Sequence, residues 1–177
     1  MSHPFDPGQH GSEHCLRDGT RVVIRPIGPE DAALERDFVD GLSERSRYLR
    51  FMHTLKAITP QMVSRFTQLD PAREMALIAL IDGAAGPAQV AVARFAAYPD
   101  GRGCEFAIVV ADGFQGKGLA TELLRRLIAI VRDRGFEFMD GLVLRENTNM
   151  IKLAKDLGFE QRPDPDDPKV IVMRLSL

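Results

Sequence analysis

A short glycine-rich segment lies where the sequence changes from an apolar run to a helical pattern. It consists of Gln115, Gly116, Lys117, Gly118, Leu119 and Ala120. A glycine-rich turn that opens a helix directs free backbone N–H groups and the positive end of the helix dipole at one point. The lysine adds a positive charge nearby. This arrangement predicts a site for a pyrophosphate group.

Other phosphate-binding loops fit this segment less well. The Walker pattern needs a lysine and then Ser or Thr directly after its last glycine, and Gly118 is followed by Leu119. The dinucleotide fingerprint needs a third Gly or Ala where Thr121 stands, and a βαβ unit around it. A purely structural role for the two glycines remains the alternative.

Glu105 is the carboxylate at the edge of the apolar run 106–111, ten residues before Gln115. A base in this region would have a clear task, because a lysine amine with a pKa of about 10.4 is almost entirely protonated at pH 7. That proton must be removed before the nitrogen can attack. On the residues alone, a surface ion pair at a sheet edge is the simpler role for Glu105.

The elements that must position these residues follow from the hydrophobic periodicity. We predict a strand at 20–25 and two or three helical pieces between 29 and 67, one of them a short helix at 60–67 with Thr59 as its cap. An antiparallel meander at 75–81, 89–98 and 104–111 is followed by a helix from 117 to 135 and a strand at 136–144. A helix at 148–157, a loop at 162–168 and a strand at 169–177 complete the predicted order. Residues 1–15 offer little to bury and are predicted to be a mobile tail. Residues 16–177 are expected to form a single domain.

Composition narrows the class of protein. The chain has 177 residues, 45% of them apolar, with 23 basic and 25 acidic side chains. Without a basic excess, nucleic acid and anionic membranes are not expected partners. Two cysteines do not make a disulfide framework, and neither a signal peptide nor an apolar run of about 20 residues is present. We expect a cytoplasmic protein.

Two further groups of residues are candidates for metal binding and for accepting an acyl group. His10, His14 and Cys15 are possible metal ligands, but they lie in the predicted tail and lack a fourth ligand at ordered spacing, so no metal site is expected. Cys104 could accept an acyl group. A strand cysteine with no histidine near it in sequence is more typical of a small buried hydrophobe, so direct transfer is expected.

Residues 115–120 match the Q/R-x-x-G-x-G/A signature, and on it the chain resembles the GNAT acetyltransferases. The predicted order of elements from residue 20 to 177 is similar to that family's. Four segments, LRDGTRVVIRPIGPEDAAL, LSERSRYLRFM, CEFAIVVADGFQGKGLA and ENTNMIKLAKDLGF, look like the acetyltransferase domain of bacterial protein-lysine acetyltransferases that modify acyl-CoA synthetases. The resemblance implies an α/β (α+β) GNAT fold, with a mixed, mostly antiparallel central sheet flanked by helices.

The resemblance also implies roles for particular residues. The backbone N–H groups of residues 115–120 would hold the pyrophosphate of acetyl-CoA, and Val109 and Val110 would pair with its pantetheine. Asn147 would also contact the cofactor, and Glu105 would be the general base. The acceptor side of the site would include Tyr48, Arg50 and Phe51. Without the resemblance, helix capping or a turn is the simpler role for Asn147.

The implied reaction is direct transfer of an acetyl group from acetyl-CoA to a primary amine, a protein lysine such as one on an acyl-CoA synthetase. Small amines are an alternative class of acceptor. A non-catalytic acyl-CoA sensor is another alternative, because Ala154 stands where many family members carry a tyrosine proposed to protonate the leaving thiolate. The sequence leaves the acyl chain preference and the oligomeric state open.

Overall fold

The structure is a computed structural model, and it describes residues 11–177. The strands are β1 Ser12–Cys15, β2 Arg21–Pro26, β3 Glu74–Gly83, β4 Gly86–Ala97, β5 Gly103–Val110, β6 Phe138–Leu144, β7 Glu160–Pro163 and β8 Val170–Ser176. The helices are α1 Ala32–Gly41, α2 Glu44–Phe51, α3 Pro60–Thr67, α4 Leu119–Asp133 and α5 Thr148–Asp156, with single 3-10 turns at Pro29–Asp31 and Asp112–Phe114.

The strands of the described chain form one sheet in the order β1-β2-β3-β4-β5-β6-β8-β7. Neighbouring strands are antiparallel except for β5 and β6, which are parallel. The predicted meander corresponds to β3, β4 and β5. The predicted fold class, a mixed and mostly antiparallel sheet flanked by helices, is confirmed.

Helices cover both faces of this sheet, which explains why its central strands are apolar on both sides. In β3, Leu77 and Ala79 belong to the core under α4, whereas Ile78 and Leu80 belong to the core under α1 and α3. Helix α4 supplies one apolar stripe to the first core, formed by Leu119, Leu123, Leu124, Leu127 and Val131. The sheet therefore separates two hydrophobic cores.

The parallel strands β5 and β6 separate part of the way along their length. Their pairing runs from Gly103 opposite Phe138 to Phe106 opposite Gly141 and then stops. Both strands continue, β5 to Val110 and β6 to Leu144, each held on its other side by an antiparallel neighbour. The sheet therefore opens into a fork, one side of which is the unpaired edge of β5.

A phenylalanine ring lies at the base of this fork. A Cβ added to Gly141 would lie 2.3 Å from the Phe106 ring, so only glycine leaves room for that ring. The ring also makes an edge contact with Phe159, with 5.3 Å between centroids. The position of the fork thus depends on a local fit between an aromatic residue and a glycine.

The prediction that residues 1–15 form a mobile tail is wrong for residues 12–15. These residues form β1, which pairs with β2 from Ser12 opposite Ile24 to Cys15 opposite Arg21. The ladder pairs the backbone groups on one side of the strand, and Leu16, only 3% exposed, anchors the end of the strand in the core. Residues 1–10, which include the rest of the predicted tail, lie outside the described residues.

Several element boundaries also differ from the prediction by one to three residues, the largest shift being at β4, which begins at Gly86 instead of residue 89. The predicted loop 162–168 begins with the end of a strand, because Glu160–Pro163 pairs with β8 along the sheet edge. Helix α4 starts at Leu119, two residues later than predicted, because Gly118 has a φ of +89° and cannot be part of the helix. None of the helices in residues 11–177 is long and apolar enough to cross a membrane.

Candidate active site

The glycine turn before α4 presents a row of unpaired backbone donors. Gly116 and Gly118 have φ values of +74° and +89°, conformations that residues with a side chain rarely adopt. Within the described chain, the N–H groups of residues 116–121 have no hydrogen-bond acceptor, and the first such bond at this end runs from Glu122 to Gly118. Free amides at the positive end of a 15-residue helix can hold a phosphate group.

Side chains fix this turn to the rest of the fold. The Gln115 amide donates a hydrogen bond to the Val110 carbonyl at 3.0 Å, which ties the turn to the end of β5. The Asp112 carboxylate accepts hydrogen bonds from the backbone N–H and hydroxyl of Ser43 and from the hydroxyl of Ser46. These bonds hold the start of α2 against the turn, so α2 and the fork have a fixed relative position.

The connection from β1 to β2 packs directly on the turn. The Arg17 N–H donates to the Lys117 carbonyl at 3.2 Å, and Asp18 forms an ion pair with the Lys117 ammonium at 2.8 Å. The hydrogen bond with Lys117 holds the pKa of Asp18 below its ordinary value. The Arg17 guanidinium lies beside Gly118, where its Nε would be 3.3 Å from an added Cβ. Two cations therefore flank the turn.

Glu105 lies in the middle of the sheet and is partly buried. Its strand β5 runs between β4 and β6, so the simpler role considered above, an ion pair at a sheet edge, does not describe its position. Within residues 11–177 its carboxylate has no hydrogen bond or ion pair. Burial raises the pKa of Glu105, the nearby charge of Asp140 raises it further, and Arg50 acts in the opposite direction.

A buried acidic network lies directly beside Glu105. Asp140, 3% exposed, is the β6 residue opposite Glu105. It accepts two hydrogen bonds of 2.7 Å from the Arg174 guanidinium and one of 3.1 Å from the Tyr98 hydroxyl. Burial and the charge of Asp140 both raise the pKa of Tyr98, so its hydroxyl stays protonated. No local sequence pattern marks these residues, because they come from separate parts of the chain.

A cleft of about 310 Å³ opens beside Glu105. Its charged and aromatic lining is formed by Arg50, Arg65, Phe66, Glu74, Arg94 and Tyr98. Glu105, Phe106 and Ala107 also line it, so the cleft extends to the base of the fork. Of the predicted acceptor-side residues, the structure places Arg50 in this lining. Phe51 packs nearby, with its ring stacked on Phe66 at 6.1 Å between centroids.

A buried charged group supports the cleft from behind. Glu35, only 1% exposed, accepts a hydrogen bond of 2.6 Å from the Gln89 amide and one of 3.2 Å from Arg94. Arg94 also donates to the Phe66 carbonyl and lies over the Phe66 ring. The arginine is thus held in place between α1, α3 and β4.

The other candidate residues differ in their surroundings. Val109 and Val110 are buried in β5 beyond the last residue paired with β6. The Asn147 side chain accepts a hydrogen bond from the Met150 N–H and so caps α5, and its contact with a cofactor stays a prediction. Ala154 is completely buried. Burial raises the pKa of the Cys104 thiol to about 12, which does not suit a nucleophile at neutral pH.

The possible metal ligands are not gathered in the described chain. His10 lies outside the described residues, and the nearest charged partner of the His14 ring is Glu122 at 3.8 Å. Cys15 is exposed, with a free thiol. Within residues 11–177, no group of three or more histidine, cysteine or acidic side chains could hold a metal ion.

Comparison with known proteins places this arrangement in a family. The family model described as "Acetyltransferase (GNAT) family" matches residues 41–159. A Pseudomonas aeruginosa protein named as an acetyltransferase is 36% identical over 170 residues, which cover 96% of this chain and 91% of that protein. The acetyltransferase Pat of Mycolicibacterium smegmatis is 28% identical over 146 residues, which are 81% of this chain and 42% of Pat.

A solved structure agrees with these sequence relatives. The GNAT domain of S. lividans PAT is 29% identical, has a TM-score of 0.87, and is matched over 98% of this chain and 100% of that domain. The chain spans less than half of the M. smegmatis relative but the full length of this domain. The fork, the glycine turn and these matches lead to one conclusion, which confirms the predicted family: the chain belongs to the GNAT acetyltransferases.

Proposed function

We propose that the chain transfers the acetyl group of acetyl-CoA directly to a primary amine, a lysine side chain of a protein, with Glu105 as the general base. The observation that carries this proposal is a carboxylate that makes no hydrogen bond or close ion pair in the described chain, located where the acceptor cleft meets the fork. A base with no competing ion pair is free to accept a proton.

The residues at the turn and the fork suit acetyl-CoA. Free amides of residues 116–121, with Lys117 and Arg17 beside them, would hold its pyrophosphate. The unpaired edge of β5 at Val109 and Val110 offers backbone groups to its pantetheine amides. When bound, acetyl-CoA supplies the acetyl group as an activated thioester.

The protein's own task is to prepare the amine. Glu105 removes one ammonium proton, and the free nitrogen pair then forms the bond to the acetyl carbon while the bond from that carbon to sulfur breaks. The nitrogen loses its second proton to the departing thiolate or to solvent, which gives the neutral amide, and Glu105 returns its proton to solvent. The sulfur leaves as a thiolate, which an ordinary thiol pKa of about 8.5 makes feasible without a dedicated acid. Ala154 can donate no proton, so this scheme assigns it none.

Two observations support a protein lysine as the acceptor. Four segments resemble bacterial protein-lysine acetyltransferases that modify acyl-CoA synthetases, and the relatives include proteins named Pat. The decisive experiment is mass spectrometry of an acyl-CoA synthetase from the same cell after incubation with the protein and acetyl-CoA. Acetylation of one lysine supports the proposal, whereas binding of acetyl-CoA without acetylation of any amine would favour the sensor.

The size of the cleft also suits a second class of acceptor. A volume of about 310 Å³ is at the lower end of the range of small-molecule sites. It could hold a small amine as well as one lysine side chain. A panel of amino acids and polyamines, assayed beside the synthetase, separates the two classes by their kcat/KM values.

We expect the pH dependence of kcat/KM to report the environment of Glu105. The value of kcat/KM should rise with pH through the pKa of Glu105, because only the carboxylate can accept a proton. The midpoint of this rising limb should lie above the ordinary glutamate pKa of about 4.3. Asp140→Asn should move the limb to lower pH, because it removes a negative charge that raises this pKa. An unmoved limb in a variant with unchanged Tm would show that another group titrates.

Gly118→Ala should weaken the binding of acetyl-CoA. At a φ of +89°, a side chain adds strain of about 1–2 kcal/mol, and the turn can relieve it only by moving its amides. If that strain destabilises the complex with acetyl-CoA and not the free protein, KM for acetyl-CoA should rise by about 5- to 30-fold. Gly113→Ala is the matched control, because that glycine lies just before the turn with open space around it and no positive φ. Equal KM values in the two variants would contradict the role of the turn.

A further inference from the structure

Within residues 11–177, one arginine of the cleft beside Glu105 lacks the close anionic partner that the other two have. Three arginines line the cleft, and two of them have partners: Arg65 pairs with Glu74, and Arg94 pairs with Glu35. Within the described chain, Arg50 has no hydrogen bond or ion pair. Of the described residues, Arg50 and Glu105 are therefore the two charged groups of the cleft that make no hydrogen bond or close ion pair, although their charges act on each other across the cleft.

Arg50 is held in a position where an anion would stabilise it. Its side chain is partly buried, with the guanidinium 4.8 Å from the centroid of the Phe51 ring. Burial, helped by the charge of Arg94, lowers the pKa of Arg50 to about 10, which still leaves it charged at neutral pH. A desolvated cation without a partner is costly, and a carboxylate matches the planar donors of a guanidinium.

From this geometry we infer that the acceptor carries a carboxylate close to its reacting amine, with the carboxylate bound by Arg50 and the amine facing Glu105. This inference rests on the proposed function, and it narrows the acceptor to a lysine with an acidic neighbour or to a free amino acid. Polyamines and lysines flanked by arginine are disfavoured, because further positive charge would enter a cleft already lined by three arginines.

Arg50 also affects the base, and the experiment has to separate the two effects. Its charge lowers the pKa of Glu105, so a neutral residue at position 50 should slow proton removal from every acceptor. A contact with a carboxylate acts only on acceptors that have one. The effect on the pKa of Glu105 is the same for an acidic and a neutral acceptor, so it cancels in the ratio of their kcat/KM values. The contact between Arg50 and the acceptor carboxylate remains in that ratio.

The test uses blocked peptides with a single lysine whose neighbour is Glu, Gln or Arg. We expect the full-length protein to prefer the Glu peptide to the Gln peptide by about 10- to 100-fold, as for a hydrogen bond between charged groups, and the Arg peptide to be the poorest. Arg50→Gln should bring the ratio close to unity, and Arg50→Lys should retain part of it. Arg36→Gln, at an exposed site on α1 where Arg36 pairs with Asp37, should leave the ratio unchanged.

Free lysine and its methyl ester separate the two sources of the carboxylate. If free lysine exceeds both its ester and the Glu peptide, the α-carboxylate of an amino acid is the group that Arg50 binds. A wild-type ratio near unity, or a preference that survives in Arg50→Gln, would overturn the inference. If no acceptor is acetylated, the proposed function fails, and calorimetric binding of the Glu and Gln peptides to wild type and Arg50→Gln still decides the inference.

Discussion

Glu105→Gln should lower kcat/KM for the amine acceptor by about 100- to 10,000-fold, the usual contribution of a general base. The substitution keeps the shape of the side chain and removes its ability to take a proton. Glu105 makes no hydrogen bond or ion pair in the described chain, so the fold loses no contact and Tm should change little. Steady-state rates at acceptor concentrations well below KM, with saturating acetyl-CoA, measure the effect.

The same variant gives a sharper result at high pH. Once the pH approaches the pKa of a lysine amine, about 10.4, the acceptor is already neutral and needs no base. The difference between wild type and Glu105→Gln should therefore shrink as the pH rises, while KM for acetyl-CoA stays the same in both. A constant difference at all pH values would indicate that Glu105 positions the acceptor instead of accepting its proton.

Glu35→Ala should destabilise the protein by about 3–5 kcal/mol, the cost of leaving one partner of a buried ion pair alone. Arg94 would keep its charge in a site where its side chain is 13% exposed, and the Gln89 amide would lose its acceptor. Urea denaturation measures the change as a lower midpoint with a similar slope. Activity of the folded fraction should also fall, because Arg94 lines the cleft.

A double variant shows whether the charge or the packing causes this loss. Glu35→Leu combined with Arg94→Met removes both charges and keeps apolar volume, and such replacements are often neutral or stabilising. The double variant should therefore recover much of the stability lost in Glu35→Ala. Glu137→Ala is the control at an exposed pair with Arg102 and should leave the midpoint nearly unchanged. An equal loss in Glu137→Ala would contradict the argument from burial.

Elements defined by neighbouring residues could be predicted from the sequence. The predicted helix at 60–67 is confirmed with the same bounds, including Thr59 as its cap, because a hydroxyl before proline at the first helical position is a local signal. The helix after the glycine turn could be predicted for a similar reason, since its apolar stripe repeats at helical spacing. The fold class was implied by the resemblance to the GNAT family, with which the order of these elements agrees.

The strands at the two edges of the sheet were harder to predict. The sequence of β1 is SEHC, with no apolar alternation, and its stability comes from the ladder with β2. The sequence of β7 is EQRP, exposed throughout and paired only with β8. Hydrophobic periodicity detects strands that bury a face, and these two strands contribute backbone hydrogen bonds more than buried surface.

The surroundings of the candidate base depend on contacts between distant parts of the chain. Asp140 is 35 positions from Glu105 and faces it because of the register of a parallel strand pair. Tyr98, directly after β4, and Arg174, in β8, reach that carboxylate from two further parts of the chain. No local pattern encodes such a register, so the sequence could suggest Glu105 as the base but not what changes its pKa or which cations share its cleft.

The short paired part of β5 and β6, here called the seam, also affects the order in which the chain folds. Strands β1 to β5 pair with their successors, whereas β6, β8 and β7 join that half through only four residue pairs, after the chain has crossed over by way of α4. Closing a distant parallel pair costs more loop entropy than closing the hairpins β3-β4 and β4-β5, so the seam should assemble after those two hairpins. The region that would carry out catalysis would then form later than the meander, and binding across the seam would report that the two halves of the sheet have joined.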